Sequence, residues 1–189
     1  QKAKAKFKVN NNHYAIYTGS GTNSNLNSNS VDYIFTDPPF GSNLMYSELN
    51  FIWEAWLKVY TNNTNEAIEN KDQDKNALEY QGLIARIFGE YYRVLKPNKW
   101  MTVEFSNTKA SIWNGIQTAI QKSGFIIANV AALDKQQVSF KALTNPTSVQ
   151  QDLVISCYKP SSEFDEKFKN HQEIKVAVWD FVEEHLHHL

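Results

Sequence analysis

Apolar and polar positions follow two different periods along this chain, and the changes of period outline its elements. Continuous apolar runs predict buried strands at Val31 to Phe35, Trp100 to Phe105, Phe125 to Leu133 and Leu153 to Tyr158. Apolar residues at helical spacing predict helices over Tyr46 to Leu57, Ala77 to Leu95, Ser111 to Ser123 and the segment containing Trp179, Val182, Leu186 and Leu189.

The order of these elements predicts the fold class. Strands that alternate with helices indicate an α/β protein whose sheet is mainly parallel and flanked by helices. The polar stretch from Asp134 to Gln151 contains no helical pattern, so we expect the last two strands to form an antiparallel hairpin. The polar segment from Thr61 to Asn76 is predicted to be a mobile surface loop. It could move over a site or touch DNA, and disorder without function is an equal alternative.

The first predicted strand ends in a sequence that can continue neither as strand nor as helix, Asp37-Pro38-Pro39-Phe40-Gly41. The two prolines fix successive φ angles and remove two backbone donors. A carboxylate, a rigid backbone and an aromatic ring are therefore held at the carboxyl end of a strand, where open α/β sheets bind ligands.

Two segments before this strand carry weaker signals. Lys2, Lys4, Lys6 and Lys8 share one face if the segment is extended, and this face is either a phosphate-contacting edge or a solvated edge that resists aggregation. Tyr14 to Tyr17 is predicted to be a short strand. Gly19 to Thr22 looks like a glycine turn that cradles a cofactor, but Asn23 to Ser30 lacks the helix formers that should follow such a turn. We therefore interpret it as an ordinary loop.

Composition narrows the class of protein. The length of 189 residues favours one domain, and the formal net charge of -1 argues against a wholly basic nucleic-acid coat but leaves room for a local basic face. The single cysteine, Cys157, excludes an internal disulfide or a cysteine zinc cluster, and we expect it to be a small buried strand residue. Neither a membrane span nor a signal peptide is visible, so we expect a cytoplasmic protein.

Three side-chain groups have a structural and a functional interpretation. We interpret Trp53 and Trp56 as core residues of the first helix and Ser47 as the cap of that helix. Tyr46, Glu48 and Asn50 follow the Pro-Pro turn closely and could border a binding site. A metal site at His185, His187 and His188 is disfavoured because no acidic or cysteine ligands lie at matching spacing.

The Asp-Pro-Pro-Phe turn can act on an amine that is part of a base. The lone pair of an exocyclic amine is delocalised into the ring, which makes the nitrogen a poor nucleophile. Asp37 could accept one amine hydrogen and the Pro38 carbonyl the other, which favours a pyramidal nitrogen, while Phe40 offers a face on which an extruded base can stack. Attack on an electrophilic methyl group then depends mainly on positioning. The alternative is a strand-terminating turn in which Asp37 is only a local cap.

The segment from Val31 to Gly41 and the helix that follows it resemble the amino-methyltransferases of DNA, specifically the N6-adenine type. The resemblance extends through Tyr91-Tyr92-Arg93-Val94-Leu95-Lys96-Pro97 and the strand from Trp100 to Phe105, and it covers roughly Asn29 to Lys159. It implies a partial Rossmann-like methyltransferase fold, S-adenosylmethionine as cofactor and DNA as substrate.

The resemblance also implies roles for particular residues. Asp37, Pro38, Pro39 and Phe40 would be catalytic, Asp37 and Gly41 would contact the cofactor, and Phe40, Tyr46, Glu48 and Asn50 would contact the substrate. An aspartate at the first position of the motif points to adenine. DNA contacts could come from Lys2 to Lys8, Asn62 to Lys75 or Lys135 to Lys141, which the sequence does not rank.

The chain departs from this family where the cofactor should bind. The glycine-rich loop, the acidic residue for the ribose and the first three strands have no counterpart here. We therefore expect a basic strand and polar loop at 1–28, a catalytic region at 29–160 with the fourth to seventh strands of the fold, and a charged helical tail at 161–189. The missing N-terminal part of the enzyme would be its partner. The alternatives are an RNA or protein-amide methyltransferase and a degenerate module that binds DNA or a partner without turnover.

Overall fold

The computed structural model of the chain describes residues 16, 19–105, 110–134, 151–164 and 174–188. Its strands are β1 (Val31–Thr36), β2 (Leu95–Phe105), β3 (Ile126–Asp134) and β4 (Gln151–Tyr158). Its helices are α1 (Tyr46–Leu57), α2 (Ala77–Val94), α3 (Ala110–Lys122) and α4 (Ile174–His188). Apart from the start of β2, the bounds agree closely with the sequence pattern, because long periodic segments carry strong signals.

The four described strands form one sheet in the order β1-β2-β4-β3. β1 pairs with β2 in parallel, and β4 pairs antiparallel with both β2 and β3. The antiparallel hairpin predicted for the last two strands is therefore confirmed, and so is the α/β class, although the described sheet is mixed and not mainly parallel. Among the described strands, the parallel pairing is confined to β1 and β2.

β2 begins earlier than the predicted strand from Trp100 to Phe105. β2 already begins at Leu95, which pairs with Val31, whereas the next pair joins Tyr33 to Trp100. The extra residues of β2 bulge out of the ladder at Asn98, whose φ is 60°. The residues between the predicted helix and the predicted strand therefore form an excursion within β2. Asparagine tolerates the left-handed region that the bulge requires.

The core lies between one face of the sheet and the helices α2 and α3. Each fully buried aliphatic or aromatic side chain there contributes about 1.5–3 kcal/mol to folding. The members of this cluster include Leu83, Ile84 and Phe88 of α2, Ile112, Ile116 and Ile120 of α3, and Met101, Val103, Phe105, Ile155 and Cys157 of the sheet. Cys157 is fully buried, as expected, and burial raises the pKa of its thiol to about 12.

The opposite face of the sheet is open near β1. Tyr33 and Phe35 point to this face and are 54% and 61% exposed. The Tyr33 hydroxyl donates to Thr102 Oγ1 at 2.7 Å across the β1–β2 pair. Farther along the sheet, α4 lies against Tyr158, whose hydroxyl is 3.2 Å from His185 Nδ1. No described helix is long and apolar enough to cross a membrane.

The interpretation of Trp53 and Trp56 as core residues is wrong. They are 70% and 81% exposed, and Leu49, Ile52 and Leu57 on the same helix are exposed as well. The buried residue of α1 is Glu54, whose Oε2 accepts a hydrogen bond from the Thr61 backbone. The helical period was read correctly, but periodicity shows which residues share a face and not whether another element covers that face.

Candidate functional site

The turn after β1 holds the residues that the sequence singled out. β1 ends at Thr36, and Asp37 follows with its side chain exposed. Pro38 is buried, while Pro39 and Phe40 are half-buried. The prolines prevent the strand from continuing, so the carboxylate of Asp37 and the ring of Phe40 lie at the carboxyl end of the parallel pair.

Contacts from both sides hold this turn in place. The Tyr80 hydroxyl of α2 donates to the Pro39 carbonyl at 2.8 Å. Gly41 is buried with φ at 68°, a backbone conformation that favours glycine. Its carbonyl accepts a hydrogen bond from the Glu69 backbone at 3.2 Å. The ring of Phe40 packs edge-on against Phe105 with the centroids 5.1 Å apart.

The segment from Thr61 to Asn76 is more ordered than the mobile loop that was predicted. Two 3-10 turns, Asn63–Asn65 and Lys71–Gln73, lie within it, and Asn70 pairs with Lys75 in an isolated bridge. Ile68 is fully buried and Ala67 is 4% exposed. We call 61–76 the strap, because its contacts tie the site turn to the start of α1. The polar composition of the segment gave no indication that Ala67 and Ile68 are buried.

The strap caps α1 in place of the predicted serine. The helix begins after Met45, which makes no side-chain cap. Glu66 Oε1 of the strap instead accepts a hydrogen bond from the Ser47 backbone at 3.0 Å. A carboxylate at this position also complements the positive end of the helix dipole. The prediction of Ser47 as the cap is therefore wrong, because a residue from a distant segment supplies the acceptor.

The predicted substrate-contacting residues have different positions relative to the turn. Desolvation is the main cause that raises the pKa of the Tyr46 phenol, and the negative charges of Asp37 and Glu66 raise this pKa further. Tyr46 therefore lies near Asp37. Glu48 Oε1 accepts a hydrogen bond from Asn70 of the strap at 3.3 Å. Asn50 is exposed on α1, and no described contact joins it to the turn.

The glycine segment does not form a cofactor turn at the site. Gly21 lies against Ile87 in the middle of α2, and a Cβ added to it would come within 3.3 Å of that side chain. Residues 23–30 continue without helix along the second half of α2. Ser24 bonds to Glu90 through both its backbone N–H and its hydroxyl. The segment thus leads to the amino end of β1, whereas the site turn lies at the carboxyl end.

The remaining candidate positions fall partly outside the described residues. The residues outside the described part include the two lysine segments, Lys2 to Lys8 and Lys135 to Lys141. They also include the predicted strand Tyr14 to Tyr17, apart from Ile16. Among the proposed DNA-contacting segments, the structure therefore describes Asn62 to Lys75, which forms most of the strap. No cluster of three or more metal-ligating side chains occurs in the described part of the chain.

Three residues that support the site were not identified from the sequence. Tyr80 lies buried on α2, and the sequence pattern gave it no role of its own. Glu66 and Asn70 lie in the polar segment that was predicted to be mobile. The available signal was the presence of a tyrosine within an apolar stripe, because a buried phenol requires a hydrogen-bond partner.

Comparison with known proteins gives a family match for most of the chain. A family model described as DNA methylase matches residues 31–186. The search of curated protein sequences found no match. Solved structures are similar at low sequence identity. One is a protein of Thermus thermophilus named as a DNA modification methylase, with 15% identity, a TM-score of 0.45, and coverage of 79% of this chain and 57% of that one.

Two further solved structures have similar statistics. The same Thermus thermophilus protein in complex with S-adenosyl-L-methionine has 16% identity and a TM-score of 0.43, covering 79% of this chain and 59% of that one. The cytosine-N4-specific PvuII DNA methyltransferase has 14% identity and a TM-score of 0.49, covering 77% of this chain and 50% of that one. The chain thus spans less than two thirds of the length of each of these proteins.

Proposed function

The chain belongs to the DNA methylase family whose model matches residues 31–186, and we propose that it forms the base-receiving part of an S-adenosylmethionine-dependent DNA methyltransferase. The observation that carries the proposal is the exposed carboxylate of Asp37, held beside the Phe40 ring by a Pro-Pro turn at the end of a parallel strand. We further propose that the acceptor is the N6 amine of adenine.

The residues of the turn have separate roles in this proposal. An adenine extruded from the duplex stacks on Phe40, and its amine donates one hydrogen to the Asp37 carboxylate and the other to the Pro38 carbonyl. This geometry frees the nitrogen lone pair. Tyr46 lies near Asp37 and Glu66, and in this proposal it borders the bound base. The exposed Asp37 carboxylate can pass the released amine proton to solvent.

S-adenosylmethionine, when bound, supplies an electrophilic methyl group attached to a positively charged sulfur. The chain has residues that fit one side of such a site, since Asp37 and Gly41 lie at the strand end where the methyl group must arrive. The glycine segment 19–22 packs on α2 instead, so the described residues do not provide a glycine-rich cradle for this cofactor. We propose that another part of the complete enzyme provides it.

The edge of the sheet is the place where that part would dock. β1 is one of the two edge strands of the described sheet, and Tyr33 and Phe35 are exposed on the adjoining face. An uncovered edge strand presents unpaired backbone groups to a further strand. Because relatives are longer than this chain, we propose that a strand and a helix from the cofactor-binding part of the same enzyme cover the β1 edge and these two aromatic side chains.

Nucleoside analysis tests the proposed reaction. DNA, RNA and protein are each incubated with the complete enzyme and S-adenosylmethionine carrying a labelled methyl group. The nucleic acids are then digested to nucleosides, which are separated by mass. We expect the label in N6-methyladenine. Label in N4-methylcytosine would refute the adenine assignment and keep the reaction class, whereas label in RNA or in a protein amide would replace DNA as the substrate. No label in any of them would favour a binding module without turnover.

A further inference from the structure

The hydroxyl of Tyr80 contacts the site turn on both sides of Phe40. The hydroxyl donates to the Pro39 carbonyl at 2.8 Å, and the Gly41 backbone N–H donates to the hydroxyl oxygen. One phenol oxygen therefore holds the two peptide groups that flank Phe40. Rotation of either peptide group would break one of these bonds. Because the backbone on both sides of Phe40 is fixed, the direction in which its side chain points is fixed as well.

The position of Tyr80 is itself well fixed. It lies in the first turn of α2, which the Asn76 side chain caps through bonds to the backbones of Leu78 and Glu79 at 2.8 and 3.1 Å. The Tyr80 backbone N–H adds a bond of 3.0 Å to the Asn76 carbonyl. The ring is 1% exposed. A capped helix terminus and a packed core thus hold the hydroxyl rigidly beneath the turn.

Burial keeps this hydroxyl protonated. Desolvation is the main cause that raises the pKa of Tyr80 well above its usual value, against the opposing effect of the Gly41 hydrogen bond. The phenol therefore remains a donor to Pro39 at any pH at which the protein is assayed. The turn is therefore held by two separate contacts. The Tyr80 hydroxyl of α2 donates to Pro39, and the Phe40 ring packs edge-on against Phe105 of β2.

We propose that Tyr80 is a positioning residue for methyl transfer: its hydroxyl fixes the Pro39–Gly41 backbone so that the Phe40 ring and the Pro38 carbonyl keep their places around the target base. This inference rests on the proposed function. Tyr80 does not touch the reacting atoms. It acts by limiting the motion of groups that do, and rates of group transfer fall steeply when reacting groups are displaced by even about 1 Å.

Tyr80→Phe in the complete enzyme tests this role, because it removes only the hydroxyl and leaves the ring in the core. Tyr158→Phe is the matched control. Tyr158 is also fully buried, its hydroxyl bonds to His185, and it pairs with Trp100 at the end of the sheet away from the turn. For Tyr80→Phe we expect kcat to fall about tenfold or more, with KM values for cofactor and DNA within about twofold of wild type.

For Tyr158→Phe we expect kcat and both KM values within about twofold of wild type. The proposal is overturned if Tyr80→Phe keeps the wild-type kcat, or if both variants lose kcat equally. Thermal unfolding of both variants shows whether a loss of kcat arises from unfolding, and kcat is compared at a temperature where both are folded.

A second measurement separates this inference from the proposed function. Amide hydrogen exchange is followed in peptides that contain Phe40 and Gly41. Tyr80→Phe should speed exchange there and Tyr158→Phe should not, since the Gly41 amide loses its acceptor only in the first variant. If the wild-type enzyme methylates nothing, the proposed function fails, and faster exchange still supports the role of Tyr80 in ordering the turn. Unchanged exchange overturns that role in either case.

Discussion

The Nζ atom of Lys159 lies 2.7 Å from the carbonyl oxygen of Tyr92, beneath the end of α2. The same ammonium donates to the Leu95 carbonyl at 2.9 Å and to Asn29 Oδ1 at 2.7 Å, and it sits 4.5 Å from the centroid of the Tyr92 ring. Lys159 is 8% exposed. The residue after β4 therefore closes the junction of α2 and β2 and anchors the segment before β1.

Replacing Lys159 with methionine should destabilise the fold by roughly 3 kcal/mol, because buried carbonyl groups lose a charged donor while the apolar stem is retained. Urea denaturation of the chain measures the change. Lys99→Met, an exposed lysine on the bulge of β2, should change stability by no more than about 0.5 kcal/mol. Equal stabilities of the two variants would show that the Lys159 contacts contribute nothing.

The carboxylate of Glu90 should make the fold sensitive to acid. Hydrogen bonds from Arg93 are the main cause that lowers the pKa of Glu90 from 4.5 to about 2, and Ser24 adds further donors. Since the folded pKa lies below the unfolded one, the stabilisation is present above about pH 4.5 and is lost as the pH falls towards 2.

Glu90→Gln tests this dependence. The variant should be less stable than wild type at neutral pH, and the difference should shrink between pH 4.5 and 2. Thermal unfolding across this range is the measurement. Glu183→Gln removes the same charge from an exposed position on α4 and controls for net charge. A stability difference that stays constant with pH would contradict the assignment.

The strap should loosen when Lys75 is changed. Its Nζ atom donates to the carbonyl oxygens of Asn63 and Glu66 at 2.5 and 2.7 Å, and these bonds join the two ends of the segment. Lys75→Met should speed cleavage within 61–76 by a protease that does not require lysine, such as thermolysin. Lys71→Met, at an exposed position in the same segment, is the control. Equal cleavage rates would mean that Lys75 does not order the strap.

The chain by itself should bind S-adenosylmethionine weakly. Of the described residues, only Asp37 and Gly41 are proposed to contact the cofactor, and these residues include no glycine-rich cradle. A partial site leaves most of the ligand in contact with water. Isothermal titration of this chain should show weak binding or none, and the complete enzyme should bind tightly in the same buffer. Sub-micromolar affinity of the isolated chain would contradict the proposed division of the site.

Local sequence signals predicted the elements and the site turn because the causes are local. The apolar run before Asp37 ends at two prolines whatever the rest of the chain does. The stripe of α2 and the hairpin of β3 and β4 also follow from residue order and period. The roles of the turn residues come from the family resemblance, and they stay proposals because the structure does not test them.

The supports of the site could not be predicted, because they join residues that are distant in the sequence. Tyr80 reaches Pro39, Glu66 caps α1 at Ser47, and Ile68 anchors a polar segment. Each contact depends on how α2 and the strap pack beside β1. The exposure of Trp53 and Trp56 has a similar origin, since a helical stripe does not reveal whether another element covers it.

Methyl transfer by an Asp37→Ala variant of the complete enzyme tests the central claim most directly. The Asp37 side chain is exposed, so its loss should leave the fold intact and lower transfer of the labelled methyl group to DNA by about 100-fold or more. Asp32→Ala removes a carboxylate from β1, the strand that leads to the turn. Asp32 pairs with Lys96 at 2.7 Å, and its loss should leave transfer within about twofold of wild type. Transfer by Asp37→Ala at the wild-type rate would contradict the claim that this turn is the catalytic site.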